Sequence, residues 1–222
     1  MNLNNVTILL PALNEEVAIG KTIDELKKYG YENIMVMDND SKDETVSVAL
    51  DHGAKVCNQP LRGKGNAVKL GISFIKTPLI IMMDADYTYP AKYVGDMLEL
   101  LEDYDVVMAE RHIRLDNSMS LTNLLGNRAL SLFGSILYWF WTSDLCTGMW
   151  GFRKAAVDQF NIVSPHFTLE ADLFTNARVK NYRIARLPIA YRSRYGKTRS
   201  HLHMGHGIKI GAFLLKRKMK IC

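Results

Sequence analysis

An apolar run that ends in two aspartates, Leu79-Ile80-Ile81-Met82-Met83-Asp84-Ala85-Asp86, offers the clearest chemistry in this chain. Carboxylates at i and i+2 past the end of a buried strand can both turn to a hard divalent cation, which takes oxygen ligands and keeps positions open for phosphate oxygens. That suits an enzyme handling a diphosphate. Asp-x-Asp is short, however, and strand-end aspartates also cap helices, so Asp84 and Asp86 gain meaning only from their context.

Three other polar clusters stand at comparable places. Pro11-Ala12-Leu13-Asn14-Glu15-Glu16 follows the first apolar run, where a dinucleotide-binding protein would show GxGxxG; the absent glycines remove the main support for a dehydrogenase. Asn14 capping a helix, with Glu15 and Glu16 complementing its dipole, is the structural alternative. Met37-Asp38-Asn39-Asp40-Ser41-Lys42-Asp43 offers short acceptors for a base or a ribose hydroxyl, or else helix caps. Arg62-Gly63-Lys64-Gly65-Asn66 puts two cations and two glycines at a helix entrance, suited to phosphate or to a plain turn.

The elements that must position these groups are legible as alternating patterns. Val6 to Leu10, Asn33 to Met37, Lys55 to Cys57, Leu79 to Met83 and Asp105 to Met108 read as strands, with helices near Val17 to Tyr29, Glu44 to His52, Asn66 to Ile75 and Ala91 to Leu101. Strands that are apolar throughout, separated by helices, predict an α/β fold with a mostly parallel sheet covered on both faces. Ligands then bind at the carboxyl ends of the strands. Each cluster falls at such an end.

With 222 residues, 48% hydrophobic and 23% charged, one large domain is expected. No stretch reaches the 18 apolar residues of a membrane span, and the N-terminus lacks a signal-peptide pattern, so a cytosolic location is expected. Cys57, Cys146 and Cys222 suggest neither a disulfide framework nor a zinc site. The net charge of +5 hides an asymmetry: beyond Asp172 there are 13 Lys and Arg and no carboxylate side chain. An anionic partner on that side is expected, with a solvated basic face as the alternative.

In the second half Ala129, Leu132, Phe133, Ile136, Leu137 and Phe140 form an apolar helical stripe widened by Tyr138, Trp139 and Trp141, expected in the core in preference to a membrane interface. Ile208 to Ile221 mixes Ile208, Phe213, Leu214 and Leu215 with Lys209, Lys216, Arg217, Lys218 and Lys220, the pattern of a basic amphipathic anchor. His201, His203 and His206 read as a polar loop, with metal binding as the alternative.

Taken in order, Ile8 to Glu16, Met37 to Asp43, Arg62 to Gly65, Asp84 to Asp86, Thr147-Gly148-Met149-Trp150-Gly151-Phe152-Arg153 and Arg192-Ser193-Arg194-Tyr195-Gly196 resemble the family 2 glycosyltransferases, within them the polyprenyl-phosphate sugar synthases. The resemblance spans Thr7 to about Ser200. It implies a GT-A fold, a Rossmann-like mostly parallel sheet with helices on both faces. Residues 1–200 would form the catalytic domain, with a nucleotide-sugar half 1–110 and an acceptor half 111–200, followed by the basic segment 201–222. It further implies Mg²⁺ or Mn²⁺ at Asp84 and Asp86; a nucleoside pocket of Pro11, Leu13, Glu15, Asp38 and Asn39, with Lys64 at the phosphates; Arg111 in the family's Ser-Arg position; and Arg194 reaching phosphate from a closing loop. The mannose-using branch often has Gln or Ser where this chain has Thr88, and a Gly-Gly that Ile113 to Asn117 lacks. Those departures leave the donor sugar undecided, and Asp84-Ala85-Asp86-Tyr87-Thr88-Tyr89-Pro90 looks closer to branches using UDP-glucose or UDP-N-acetylglucosamine, with GDP-mannose as the alternative.

The expected reaction is sugar transfer to dolichyl or polyprenyl phosphate by an enzyme peripheral to the cytosolic face of a membrane, with no nucleic-acid partner. A phosphate acceptor is already anionic and needs no base, whereas a hydroxyl acceptor, the rival reading, needs one, and Glu170 and Asp172 are the candidates. A nucleotidyltransferase would show a glycine-rich arginine loop after the first strand, and Pro11 to Glu16 is not one. A nucleic-acid-binding module remains the rival from a different class, resting on the basic half alone.

Overall fold

The computed structural model describes residues 2–114, 120–196 and 204–220. Its elements are β1 (Val6–Ala12), α1 (Ile19–Lys28), β2 (Ile34–Asp38), α2 (Thr45–Asp51), β3 (Lys55–Asn58), α3 (Lys64–Phe74), β4 (Leu79–Met82), α4 (Tyr93–Leu100), β5 (Val106–Arg114), α5 (Leu121–Tyr138), β6 (Trp150–Arg153), α6 (Lys154–Val157), α7 (Leu169–Val179), β7 (Ile184–Tyr191) and α8 (Met204–Met219). The strands form one sheet in the order β3-β2-β1-β4-β6-β5-β7, parallel except for β6, which runs antiparallel between β4 and β5. The mostly parallel α/β sheet expected from the apolar runs is present, with one apolar cluster on each face.

All seven residues of β1 are buried, as a central strand with helices on both sides requires. Sheet order reverses between β1 and β4, and the C-terminal ends of the strands on either side of such a reversal leave a crevice. Pro11 fits this place. Leu9 accepts the Met83 N–H on its β4 side, so the missing N–H of Pro11, two residues on, faces the gap where β4 has turned away.

Two strands, β6 and β7, were not expected. β6 has four residues, too few for a pattern, and β7 carries Pro188, which an edge strand tolerates. β6 brings a third chain segment to the crevice, because Trp150 pairs with Met82 and the residues before it therefore arrive beside Asp84. In β5 the register with β7 slips between Arg111 and Ile113, a bulge that leaves His112 as the extra residue.

The aromatic helix departs from the expectation of a core stripe. The buried face of α5 is Ser131, Gly134, Ser135 and Tyr138, whereas Leu121, Leu125, Leu132, Phe133 and Ile136 are exposed. Small residues face inward because α8 and the 142–146 segment lie close: a Cβ at Gly134 would overlap Leu145. The helix stops at Trp139 in a left-handed conformation (φ 53°), leaving Trp139 87% and Trp141 61% exposed. The basic terminal segment is not only a surface element, since Ile210 and Leu214 of α8 are buried in the core and Arg217 meets Asp172 at 3.3 Å. Among the described residues no helix is long and apolar enough to cross a membrane.

Candidate active site

The loops after β1 and β2 are tied together by their own polar groups. Asn14, at φ 55°, accepts from the Lys42 N–H at 2.8 Å while its own N–H donates to Ser41, and Asp43 accepts from the Glu16 N–H. Asn14 is therefore not the helix cap; the Glu15 carbonyl receives the first N–H groups of that turn instead. Leu13 stays 44% exposed above the crevice. Asp38, at the end of β2, accepts from the Ser41 N–H through Oδ2, while its buried Oδ1 has no hydrogen-bond partner among the described residues. A buried acceptor left unpaired is costly, and a ligand donor would satisfy it. Asn39 is occupied by structure: its amide donates to Gln59 and Leu61 carbonyls and accepts from the Gly63 N–H at 2.6 Å. It holds the loop that delivers Lys64.

That loop uses its glycines for packing in place of the phosphate approach expected. Gly63 has φ 127°, and Cβ atoms at Gly63 or Gly65 would collide with the carbonyls of Pro165 and Ser164. The fit drives Lys64, the first residue of α3, between two carboxylates, with Nζ 2.6 Å from Asp84 Oδ1 and 2.7 Å from Glu170 Oε1. A cation at a helix N-terminus opposes the dipole by roughly 0.3–1 kcal/mol. The two carboxylates more than offset this and, against the effect of burial, raise the Lys64 pKa.

Asp86 is matched in the same way. Its Oδ1 accepts from the Thr88 hydroxyl at 2.6 Å and from the Thr88 N–H, and its Oδ2 lies 3.2 Å from Arg194 Nε. Arg194 also binds Glu15 through a terminal nitrogen. Burial first, and then the neighbouring Asp84, raise the Asp86 carboxyl. Burial also lifts Glu15, to about 7, although Arg194 opposes it. Between the ordinary value of 4.5 and about 7 the native protein holds a proton that the unfolded chain has released, so stability falls as pH rises across that window. Glu15→Gln should flatten that fall. Thermal midpoints of both proteins at about pH 5 and about pH 8 check it; an unchanged slope would assign the proton to another group.

A second polar centre surrounds Arg111. Its guanidinium makes a two-bonded pair with Asp144 (2.6 Å for each contact) and donates to the Cys146 carbonyl, while Asn127 also donates to Asp144. Burial opposes both charges, yet Arg111 holds the Asp144 carboxyl below its ordinary range. The bulge at His112 turns both residues toward one cavity of about 190 Å³, shared with Leu124, Asn127, Arg128, Ser143 and Asp144. His112 contacts the Ser143 hydroxyl and the buried Glu110 carboxylate, which also accepts from Thr142.

The family model described as glycosyl transferase family 2 matches residues 7–160. The chain belongs to that family. A dolichyl-phosphate hexose transferase of Haloferax volcanii is 30% identical over 222 residues, covering 99% of this chain and 94% of the relative. Glycosyltransferase AglJ of the same organism is 29% identical over 189 residues, 84% of this chain and 62% of that protein. Glucosyl-3-phosphoglycerate synthase from Mycobacterium tuberculosis, solved in complex with Mn²⁺, uridine-diphosphate and glucosyl-3-phosphoglycerate, superposes with a TM-score of 0.78 at 20% identity, covering 96% of this chain and 80% of that one. That likeness supports the GT-A fold.

In this glycosyltransferase the expected residues separate into two groups. Glu15, Lys64, Asp84, Asp86 and Arg194 meet in one charged cluster at the crevice, with Pro11, Leu13 and Asp38 on the neighbouring strand ends. Arg111 stands apart on Asp144, and Asn39 serves its loop. Asp172 is not a base: it is fully buried and accepts from Val163, Ser164 and Asn176. His206 packs against Phe167, and His201 and His203 lie outside the described residues. Asp144, Thr88 and Tyr89 were missed. Tyr89 is buried and its hydroxyl accepts from the Gly148 N–H at 2.6 Å, a contact across 59 residues that no local pattern announces. Among the described residues no three His, Cys, Asp or Glu side chains converge to hold a metal unaided.

Proposed function

We propose that this family 2 transferase moves a hexose or N-acetylhexosamine from a nucleotide sugar, UDP-linked in preference to GDP-linked, to dolichyl or polyprenyl phosphate. The observation that carries the acceptor class is the polar cavity against α5, where Arg128 and His112 stand beside Arg111 and its partner Asp144. Arg128 is a helical neighbour of Leu125 and Leu132 on the exposed apolar face. A phosphate on a lipid chain matches both halves of that surface. Two further points agree: Glu170 is tied to Lys64 and Asp172 is buried, so neither candidate base is free for a hydroxyl acceptor, and a relative spanning the whole chain is a dolichyl-phosphate hexose transferase.

On this reading Asp38 Oδ1 accepts a hydrogen bond from the base or ribose, and the exposed Leu13 offers an apolar face to the base. Asp84 and Asp86 would hold Mg²⁺ or Mn²⁺. Two carboxylates completed by substrate phosphates are the usual donor set for such ions. When bound, the ion neutralises charge on the departing diphosphate. Lys64 and Arg194, freed from the aspartates, would turn to the same diphosphate. The acceptor phosphate oxygen forms the bond to the anomeric carbon as the bond to the diphosphate oxygen breaks, and its electron pair leaves with the diphosphate. No proton needs to be removed from the acceptor.

The membrane partner is read from the same faces. Leu121, Leu125, Leu132 and Ile136 run along one side of α5, ending near Trp139 and Trp141. On α8, Ile208, Leu215 and Met219 are exposed among Lys209, Lys216 and Lys220, each cation contributing about 1 kcal/mol beside an anionic leaflet. Contact would be peripheral, at the cytosolic face. Because Leu214 is a core residue, a surface charge tests this better than truncation: Ile136→Glu should abolish flotation with anionic vesicles, and unchanged flotation would remove α5 from the contact.

The deciding experiment incubates the protein with dolichyl phosphate, Mg²⁺ or Mn²⁺ and a panel of radiolabelled UDP- and GDP-sugars, and counts label extracted into organic solvent. Metal-dependent label from one donor, lost in Asp86→Ala, is the expected result. Donor binding without lipid label would overturn the phosphate acceptor.

A further inference from the structure

The segment after β7 is fastened on both sides of Arg194. Before it, the Arg192 N–H donates to the Thr88 carbonyl at 3.0 Å; after it, the Tyr195 N–H donates to the Asp86 carbonyl at 3.4 Å. The chain thus lies across Asp86–Thr88, and Tyr87, between them, adopts a left-handed conformation (φ 64°). The Tyr87 ring is an anvil for this segment: the Arg192 guanidinium lies over it at 4.6 Å and the Tyr195 ring meets it edge-on at 6.1 Å. From α1, Glu25 takes both ends of the Arg192 guanidinium, at 2.8 and 2.7 Å, and Lys21 covers Tyr195 at 4.3 Å. The Glu25 and Arg192 side chains are only 15% and 26% exposed.

We infer that Glu25, Arg192 and Tyr87 form a latch that fixes the backbone on either side of Arg194 and so sets where its guanidinium can reach. This rests on the reading that Arg194 meets the donor diphosphate. None of the three is within the charged cluster itself; they are positioning residues. A two-bonded arginine pair stacked on an aromatic ring defines direction as well as distance, which a lysine in place of Arg192 would not reproduce. The latch also ties α1 to the β7 end through Glu25 and Arg192, beside the Asp86–Arg194 pair that ties the β4 end to the β7 end.

The test titrates the full chain with UDP in the presence of Mn²⁺ by calorimetry, for wild type, Arg194→Gln, Glu25→Gln, Arg192→Gln and the Glu25→Gln/Arg192→Gln double variant. Arg194→Gln should weaken binding, and each latch variant should weaken it by about tenfold, as expected when a binding group is misplaced by an ångström or less. The double variant should be no weaker than either single one, because the pair acts as a unit. In turnover, KM for the nucleotide sugar should rise while KM for the lipid acceptor stays the same. Tyr87→Leu removes the stacking face, leaves the ion pair, and should give a smaller loss; it and Arg192→Lys serve if a glutamine variant fails to fold. Latch variants within twofold of wild type, alongside a weakened Arg194→Gln, would overturn the latch alone. An Arg194→Gln that binds as wild type would overturn the reading of Arg194, and the latch with it.

Discussion

Gly148→Ala should slow sugar transfer by about 10²- to 10³-fold while leaving the protein folded. A Cβ at Gly148 would overlap Asp84 Oδ2, with Cγ at 2.7 Å and Oδ1 at 2.9 Å. The backbone has little room to retreat, because the Gly148 N–H is bonded to the buried Tyr89 hydroxyl and Trp150, two residues on, is locked into β6. The Asp84 side chain must therefore swing away, losing Lys64 and the place from which it would hold a divalent ion. Displacing a charged group of this kind costs about 10²- to 10³-fold in turnover. The measurement is kcat/KM for the nucleotide sugar together with Mn²⁺-dependent UDP affinity, and Asp84→Asn should fall to the same level. Gly126→Ala is the control: nothing lies within 4 Å of its Cβ, and a mid-helix alanine should gain about 0.5–1 kcal/mol of stability. Full activity in Gly148→Ala would exclude Asp84 from the chemistry.

Arg111→Met should produce the largest loss of stability. It strips Asp144, 3% exposed, of its two-bonded partner and leaves a buried carboxylate with Asn127 and local N–H groups. Breaking a buried pair in this way costs about 3–5 kcal/mol, or on the order of 10 °C in Tm for a chain of this size. The pH dependence distinguishes this from a simple packing defect. In the wild type, Asp144 is held below 3.8, so its contribution is present at neutral pH and is lost only as pH falls through that lower value. Without the Arg111 guanidinium, burial outweighs the remaining Asn127 and backbone N–H bonds and raises the carboxyl; on acidification the variant then gains stability beyond the gain that Glu15 gives both proteins. Unfolding at about pH 5 and about pH 7.5 should show the deficit shrinking in acid, and a deficit independent of pH would mean that Asp144 is not the group left unpaired.

β1, β2 and β4 and their polar ends were legible because each is a run of apolar residues too long and too β-branched or Met-rich to be a loop, closed by a change to Asp, Asn or Glu, whereas the short β3, Lys55–Asn58, was legible from its place between two helices. Asp84 and Asp86 needed only their position after such a run. Their partners were not readable locally, since Lys64 meets Glu170 across 106 residues and Glu15 meets Arg194 across 179; order and spacing along the chain, not any one motif, suggested that they belonged together. Asn39 and Arg111 show what residue type leaves open: a group able to bind phosphate or base is equally able to satisfy a loop or a buried aspartate, and the sequence did not show that Gly63 and Asp144 also engage them. The face of α5 did mislead. Its apolar positions are periodic, but periodicity gives a stripe and not the side that is covered; small Ser and Gly residues won the inward side because they admit a closely packed neighbour.

The pairing of Lys64 with Asp84 and of Arg194 with Asp86 has a consequence for how the molecule tolerates want of a metal. Carboxylates gathered for an ion ordinarily repel one another when it is withdrawn, and many such sites loosen under chelation. Here each aspartate already faces a resident cation, so the architecture carries its own counter-ions. Treatment with EDTA should silence the transferase yet leave its melting curve where it was, and restoring the ion should return activity without any refolding delay. If Asp84 and Asp86 hold the ion as proposed, the protein would wait in a cell poor in free divalent metal, intact and dormant, until donor and ion arrive.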